Sequence, residues 1–584
     1  MAVCSENVRE RYERWKNLAS ADEELAQELK AMEGDEGRIF DAFYRDLAFG
    51  TGGLRGVIGA GSNRMNIYTV GKASQGLADY VNSRFTQKKR SAAISYDSRR
   101  GSSRFAARAA AVFAANGIQV HLYRELMPTP MLSWAVRQLG CGCGVMITAS
   151  HNPAKYNGYK VYGPDGCQIT TKAAEEIFEL MERVDAFEDV RETDFEEALK
   201  EGTISYIKED VIDGFIQAVK SQSMVRDLEG RIDKNLSIVY SPLNGTGLKP
   251  VLRVLKESGF NRITVVKEQE RPDGDFPTCP YPNPEIQEAM ALGMEYAKKC
   301  GADLVLATDP DCDRVGIAVK DRHGEYVRLS GNQVGILLLN YICSRRVQTG
   351  TMPEHPAAVK TIVTTDLAAR IAADYGVEMV QVLTGFKFIG EQIGRLEAQG
   401  REKDYILGFE ESYGYLSGSY VRDKDGVGGS LLICEMFAYY RHMGQSLLEV
   451  LEGLYKKYGY CLNTLHSYEF EGAQGFEKMQ GIMAELRKAK SRKEKQVLGG
   501  KEILGIEDYL DGTVTDREGS SKKITGLPAS DVLKFWLEGE TSAVVRPSGT
   551  EPKLKLYLSV RAAGHREAEE EEARMTEEME RLFD

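Results

Sequence analysis

Residues 92–123 read AAISYDSRRGSSRFAARAAAVFAANGIQVHLY, and this stretch decides the fold class. A short apolar run, 92–96, meets a polar turn at 97–103. An Ala-rich helical segment then runs to Asn116, Gly117 stops it, and 118–123 reads as a second strand. Strand, helix, Gly stop and strand is the pattern of a right-handed crossover in a mostly parallel sheet. The pattern returns at 236–266, with Gly259 as the stop, and at 359–382, with Asp366 placed as the helix N-cap and Gly376 as the stop. One copy would be unremarkable, since Gly after a helix is common. Three copies predict three related mixed α/β domains.

Each unit is followed by another short apolar strand that runs into a polar loop. Residues 144–147 lead into Thr148-Ala149-Ser150-His151-Asn152-Pro153. Residues 303–307 lead into Thr308-Asp309-Pro310-Asp311-Cys312-Asp313-Arg314, and 404–407 into Gly408-Phe409-Glu410-Glu411-Ser412-Tyr413-Gly414. Ligands of α/β sheets bind beyond the carboxyl ends of strands, where these three loops are expected. The repeat stops near residue 460. The remainder holds a strand at 543–545, the loop 546–552, a strand at 554–560 and an acidic helix, a smaller C-terminal α+β domain expected around the same central cleft. The domain limits read as 1–205, 206–322, 323–458 and 459–584. The basic stretch 488–495 reads as the solvated face of a helix.

Composition narrows the partners. The 584 residues are 42% apolar and 28% charged, an ordinary globular balance. With 75 Lys plus Arg against 87 Asp plus Glu, the formal charge is -12. Such a chain has no bulk attraction for nucleic acid or anionic membranes, so an anionic substrate must be held by local basic sites. The first residues are charged and lack the apolar core of a secretory signal. The apolar runs at 334–339 and 431–440 are too short to span a bilayer. Among the ten cysteines only Cys141 and Cys143 lie close together, and a lone C-x-C reads as reduced core thiols rather than zinc ligands. The expectation is a cytoplasmic protein with a small-molecule substrate and neither nucleic-acid nor membrane partners.

The loops carry chemistry. Ser150 offers a hydroxyl beside the imidazole of His151, and Asn157-Gly158-Tyr159-Lys160 follows with an ammonium group; a serine needs such neighbours or a metal to become a nucleophile. Asp309, Asp311 and Asp313 alternate along what reads as an extended loop and suit a hard divalent cation such as magnesium. An EF-hand would need Gly where Arg314 stands, and a D-x-D-x-T phosphatase would need Thr where Asp313 stands. Glu410 and Ser412, two residues apart, suit the paired recognition of sugar hydroxyls. Arg546-Pro547-Ser548-Gly549-Thr550-Glu551-Pro552 joins a guanidinium, hydroxyls and a glycine, a mixture suited to a phosphate dianion. The glycine-rich run 49–56, with Arg55, lacks the nucleotide-binding fingerprints.

Taken together these loops resemble the alpha-D-phosphohexomutase family, and in particular its longer phosphoglucomutase branch, from about residue 49 to 557. The resemblance implies four domains around a cleft, Ser150 as a phosphorylated serine, and one Mg²⁺ held by Asp309, Asp311, Asp313 and the phosphoserine at Ser150. It implies sugar contacts at Glu410 and Ser412 and a phosphate clamp of Arg546, Ser548, Gly549 and Thr550. Arg55, His151, Lys160 and Arg314 match positions near the reacting phosphoryl group, and Lys387, in Thr384-Gly385-Phe386-Lys387, matches a second basic residue. The implied reaction interconverts glucose 1-phosphate and glucose 6-phosphate, with glucose 1,6-bisphosphate as intermediate and activator. Phosphomannomutase and phosphopentomutase are the alternatives within the family, and a metal-dependent sugar phosphatase a remoter one. Gly52 stands where many members have Ser. Phe409 and Tyr413 stand where many have smaller residues, a departure that bears on sugar preference.

Overall fold

Glycine closes the helix of each crossover in a left-handed conformation. In a computed structural model that describes residues 6–50, 52–470, 472–491, 495–548 and 553–583, Gly117, Gly259 and Gly376 adopt φ of 71°, 94° and 67°. This left-handed region is costly for residues with a Cβ, which is why glycine ends each helix. The chain divides into two compact units. One comprises Met1–Ser330, Phe386–Leu407 and Ser412–Tyr439; the other comprises Gly331–Gly385, Gly408–Glu411 and Tyr440–Asp584.

The first unit contains two sheets built on one plan. In the seven-stranded sheet the order is Phe49–Gly50, Gly53–Val57, Tyr156–Tyr162, Cys143–Ile147, Ser91–Tyr96, Gln119–Leu122, Ile204–Tyr206. Ser91–Tyr96 pairs parallel with both Gln119–Leu122 and Cys143–Ile147, and Tyr156–Tyr162 returns antiparallel. In the five-stranded sheet Ile238–Ser241 pairs parallel with both Ile263–Val265 and Leu304–Thr308, and Val315–Lys320 returns antiparallel. The equivalent strand therefore ends at the polar loop in both sheets, immediately before the hairpin partner. The apolar runs that end there, 143–147 and 304–308, are fully buried because helices cover both faces of a parallel sheet. Three amphipathic N-terminal helices, Glu6–Leu18, Glu23–Ala31 and Glu36–Phe43, add Tyr12, Trp15 and Phe43 to the first core.

The second unit holds the third crossover, with Ala357–Thr361 and Glu378–Val382 paired parallel and Leu367–Asp374 as its helix. It also holds an antiparallel C-terminal sheet in the order Tyr460–Glu469, Lys553–Ala562, Thr541–Pro547, Leu533–Leu537, Lys501–Asp508, Thr513–Asp516, Ser521–Lys523. The acidic helix His565–Phe583 turns Ala568, Met575, Met579 and Phe583 into this domain's core.

Several local expectations change. The strand expected at 404–407 extends through Phe409, and the one at 543–545 spans Thr541–Pro547, so Arg546 sits on a strand end rather than within a loop. The helix entering the basic stretch ends at Lys488; Lys488 and Lys495 are exposed, as a solvated face requires, whereas Lys490 turns inward and lies 2.6 Å from Asp508. Residues 492–494 lie outside the described residues. Asp366 precedes its helix but caps nothing with its side chain; its carboxylate is engaged elsewhere. No described helix is long and apolar enough to cross a membrane.

Candidate active site

Backbone geometry marks the polar loops before any side chain is considered. Ser150, Cys312 and Tyr413 adopt φ of 53°, 50° and 65°. Left-handed conformations are unusual for such residues and persist only where the surroundings hold them. Around Ser150 the holding groups are Asp97 and Arg99, both from the polar turn of the first crossover. Ser150 donates its backbone N–H to Thr148 Oγ1 (2.8 Å), and Thr148 donates to Asp97 Oδ2 (2.6 Å). Arg99, with a fully buried side chain, pairs with Asp97 at 3.2 Å. It donates to the carbonyls of Ser150 (2.5 Å), Pro153 (2.9 Å), Tyr156 (3.0 Å) and Asn152. The Ser150 loop is thus wrapped around one guanidinium. Replacing it should be costly: Arg99→Met strands Asp97 and four carbonyls. An unfolding titration should show a loss of about 3–5 kcal/mol, the usual cost of breaking a buried ion pair.

The Ser150 hydroxyl donates to Asp309 Oδ2 at 3.0 Å and lies 3.2 Å from His151 Nδ1. Burial, reinforced by Arg314 and Arg55, drives His151 well below its ordinary range, so the ring is neutral. Arg55, on the strand Gly53–Val57, donates to Asn152 Oδ1 at 3.3 Å. Register explains the neighbourhood: Gly53 opposes Lys160 and Arg55 opposes Gly158. The approach requires glycine at 53, where φ is 148° and a Cβ would stand 2.0 Å from the Tyr159 carbonyl. At Gly52 a Cβ would meet the amide of Gln168 at 2.5 Å, so Gln168 occupies the space that a serine would need.

Asp309, Asp311 and Asp313 are buried and offer carboxylate oxygens within 4.8 Å of one another. The loop is a turn rather than extended: Cys312 donates its N–H to the Asp309 carbonyl at 2.9 Å, and this fold-back is what gathers the three side chains. Asp309 Oδ1 accepts the N–H groups of Asp313 (3.1 Å) and Arg314 (3.0 Å). Lys160 Nζ lies 2.8 Å from Asp311 and 3.6 Å from Asp313, while Lys424 Nζ lies 2.8 Å from Asp313. Burial works against the charge on Lys160, but Asp311 and Asp313 outweigh it and raise its pKa. Asp311 is held well below the usual carboxylate range: burial opposes this and Lys160 prevails. Burial, with Asp313 and Asp311 adjacent, pushes Asp309 well above it. Asp311 Oδ1 and Asp313 Oδ1 are buried without a hydrogen-bond donor. Hard, inward-facing carboxylate oxygens lacking donors are the ligand set of a divalent metal ion, so the residues fit the cation that their spacing suggested. Arg314 pairs with Glu285.

Lys387 lies in the first turn of the helix Phe386–Ala398. It is buried, and burial lowers its pKa to about 8, with Cys167 and Glu391 opposing the shift. The loop after Tyr405–Phe409 is divided between the units. Glu410, in the second, is buried and accepts the Gly385 N–H at 3.0 Å. Ser412, in the first, is half-buried. A turn at Glu411–Ser412 replaces the extended backbone expected there, so strand alternation does not govern these side chains. Phe409 is fully buried: its ring fills the space in front of Gly335, where a Cβ would stand 2.2 Å from it. Tyr413 is also buried, with its carbonyl accepting the Val315 N–H at 3.1 Å. Both are core residues, so any bearing on sugar preference would act through the packing of the loop. Arg546 and Ser548 are half-buried in the second unit, with Ser548 N donating to Lys553 O at 2.7 Å. Gly549 and Thr550 lie outside the described residues.

Sequence reading missed Asp97, Arg99 and Lys424. The first two stood in a turn read only as polar, and Lys424 lies in Val421-Arg422-Asp423-Lys424-Asp425-Gly426, a charged run whose side chains point inward.

An α/β scaffold that presents a serine on a left-handed turn beside a buried carboxylate triad places a candidate nucleophile next to a group that could hold a divalent cation. Comparison with known proteins is specific. Models of the phosphoglucomutase/phosphomannomutase alpha/beta/alpha domains I, II and III match residues 46–188, 213–324 and 330–458. A phosphoglucomutase of Staphylococcus aureus (strain bovine RF122 / ET3-1) is 38% identical over 525 residues, covering 89% of this chain and 91% of that protein. The open form of parafusin, an exocytosis-sensitive phosphoprotein and phosphoglucomutase from Paramecium, shares the fold. Its TM-score is 0.65 at 18% identity, over 92% of this chain and 96% of that one. A phosphoglucomutase/phosphomannomutase family protein from Burkholderia thailandensis aligns with TM-score 0.62 at 19% identity, over 91% and 96%. The chain belongs to the phosphoglucomutase/phosphomannomutase family, whose members are phosphosugar mutases.

Proposed function

We propose that this chain interconverts glucose 1-phosphate and glucose 6-phosphate, carrying the transferred phosphoryl group on Ser150. The observation that carries the reading is the Ser150 hydroxyl, held on a left-handed turn 3.0 Å from Asp309 of the buried triad. The 38% identity to a phosphoglucomutase favours glucose over mannose or pentose phosphates. We take the domain limits to lie near residues 205, 322 and 458, and the protein to act in the cytoplasm.

Asp309, Asp311, Asp313 and phosphorylated Ser150 would hold one Mg²⁺, which when bound supplies charge neutralisation to the phosphoryl group. The chain's own residues do the rest. Arg55 and Arg314 offset phosphoryl charge, while His151, neutral beside Ser150, orients the serine. In the first transfer the Ser150 Oγ–P bond breaks and an O–P bond forms at the 6-hydroxyl. The hydroxyl proton passes to Lys387, and Ser150 Oγ takes up a proton as it leaves. Lys160, paired with two aspartates, is already committed as a cation. The resulting glucose 1,6-bisphosphate turns end for end. The same bond changes then run backwards at the 1-position, restoring phosphoserine and releasing glucose 6-phosphate. Glu410 and Ser412 hold the sugar hydroxyls in both orientations, and Arg546, Ser548, Gly549 and Thr550 bind the phosphate that is not reacting. Added glucose 1,6-bisphosphate would activate by phosphorylating Ser150.

The test supplies purified protein with glucose 1-phosphate, Mg²⁺ and a trace of glucose 1,6-bisphosphate. Glucose 6-phosphate should accumulate without matching inorganic phosphate; release of phosphate at the turnover rate would make the protein a phosphatase. Arg546→Ala should raise KM about 10- to 100-fold, the worth of a charged hydrogen-bonded contact, with a smaller change in kcat.

A further inference from the structure

The second unit buries a charge cluster that this mechanism does not use. Lys360, on the strand Ala357–Thr361, has a fully buried side chain, and Lys534, on Leu533–Leu537, is 1% exposed. Both point at one carboxylate. Lys360 Nζ donates to Asp366 Oδ1 at 2.9 Å, and Lys534 Nζ approaches Asp366 Oδ2 at 3.2 Å and Oδ1 at 3.4 Å. Two buried ammonium groups share one carboxylate, an expensive arrangement unless every donor is placed. Here they are. Lys360 also donates to the Thr364 carbonyl at 2.8 Å, and Lys534 reaches the Ile362 carbonyl at 3.4 Å. Lys534 further lies 3.9 Å from the centre of the Trp536 ring, within cation–π range. Burial would raise Asp366, but Lys360 and Lys534 hold it down to about 2, so it is ionised throughout the working range.

The cluster's connections are its informative feature. Thr361 and Thr364, the residues that bracket this turn, donate their hydroxyls to Glu411 Oε2 at 3.2 and 3.1 Å, and Glu411 adjoins Glu410 in the sugar loop. On the other side Lys534 pairs in register with Val544, two residues from Arg546 on the same strand. Ser542, also on that strand, donates to Asp366 Oδ2 at 3.3 Å.

We propose that Asp366 is a positioning residue that, through Lys534 and Ser542, ties the Arg546 strand to the Thr361–Thr364 turn and so to the sugar loop. The two ligand-holding elements of this unit then form one preorganised piece. A substrate that uses both gains from their fixed spacing, whereas a ligand that uses only the phosphate clamp gains nothing. The inference rests on the reading of Arg546 and Glu410 given above.

Lys534→Met combined with Ser542→Ala is the decisive variant, because it cuts both arms of the tie yet leaves Lys360 and Asp366 as a balanced pair. Its KM for glucose 1-phosphate should rise about tenfold, the scale of lost preorganisation between two linked contacts. Its kcat, and the inhibition constant of inorganic phosphate as competitor, should stay within about twofold, since neither depends on the spacing. Asp366→Asn should show the same split together with a lower unfolding temperature. An unchanged KM in the folded double variant would overturn the proposal. So would a loss of phosphate inhibition in step with KM, which would mean that the clamp itself had been distorted. Arg546→Ala serves as the control: if phosphate inhibition survives that change, the reading of the clamp fails rather than the tie.

Discussion

Ser150→Ala is expected to abolish mutase turnover, by about 10⁴-fold or more, the scale seen when a catalytic nucleophile is removed. The wild-type protein, exchanged with glucose 1,6-bisphosphate, should carry one phosphoserine by mass spectrometry, and the variant none. Folding should survive. Ser150 already occupies a left-handed turn at φ 53°, which alanine tolerates less well, so a stability loss of about 1 kcal/mol is the extent expected. Arg99 and Asp97 continue to hold the loop, because their contacts run to backbone carbonyls and to Thr148 rather than to the hydroxyl. A variant that retains activity would move the nucleophile elsewhere and remove the phosphoserine mechanism.

Lys387→Met should cost about 10²–10⁴-fold in kcat, the usual worth of a positioned general base. The pH dependence gives the sharper test. Burial lowers Lys387 to about 8. A base must be unprotonated to accept the hydroxyl proton, so kcat/KM in the direction of glucose 6-phosphate should rise with pH and level off above about 8. That rising limb should vanish in Lys387→Met, leaving a flatter and much lower profile. Lys160→Met should also be slow but should keep the limb, because Lys160 is bound to Asp311 and Asp313 as a cation. If the limb persists in Lys387→Met and disappears in Lys160→Met, the two roles are exchanged.

Much of this molecule is written locally in its chain. The three crossovers are legible because a helix of Ala-rich or amphipathic residues, a glycine at φ near 70–90° and a short β-branched run are each local preferences. The loops that follow them are legible because a parallel sheet forces its strand ends to one edge. Ser150, the three aspartates and Arg546 stand out as candidates in this way, although the place of Arg546 on a strand end does not.

Other residues resisted a local reading for one physical reason. Asp366 stands where an N-cap belongs, and as a sequence feature it looks like one. Its carboxylate turns instead to Lys360 and to Lys534, 168 residues away, because two buried ammonium groups outbid a helix end that other groups can satisfy. Lys424 carried no local signal and is a partner of Asp313. Phe409 looked like a neighbour of the sugar and filled the space that Gly335 leaves. Spacing along a few residues was enough to mark the repeated architecture, the acidic triad and Ser150 as the candidate nucleophile. Which buried charges pair, how the Ser150 loop is held and which bulky side chains face inward emerge only in three dimensions. Those outcomes are set by desolvation, which depends on what lies across the core and not on what lies next in the chain.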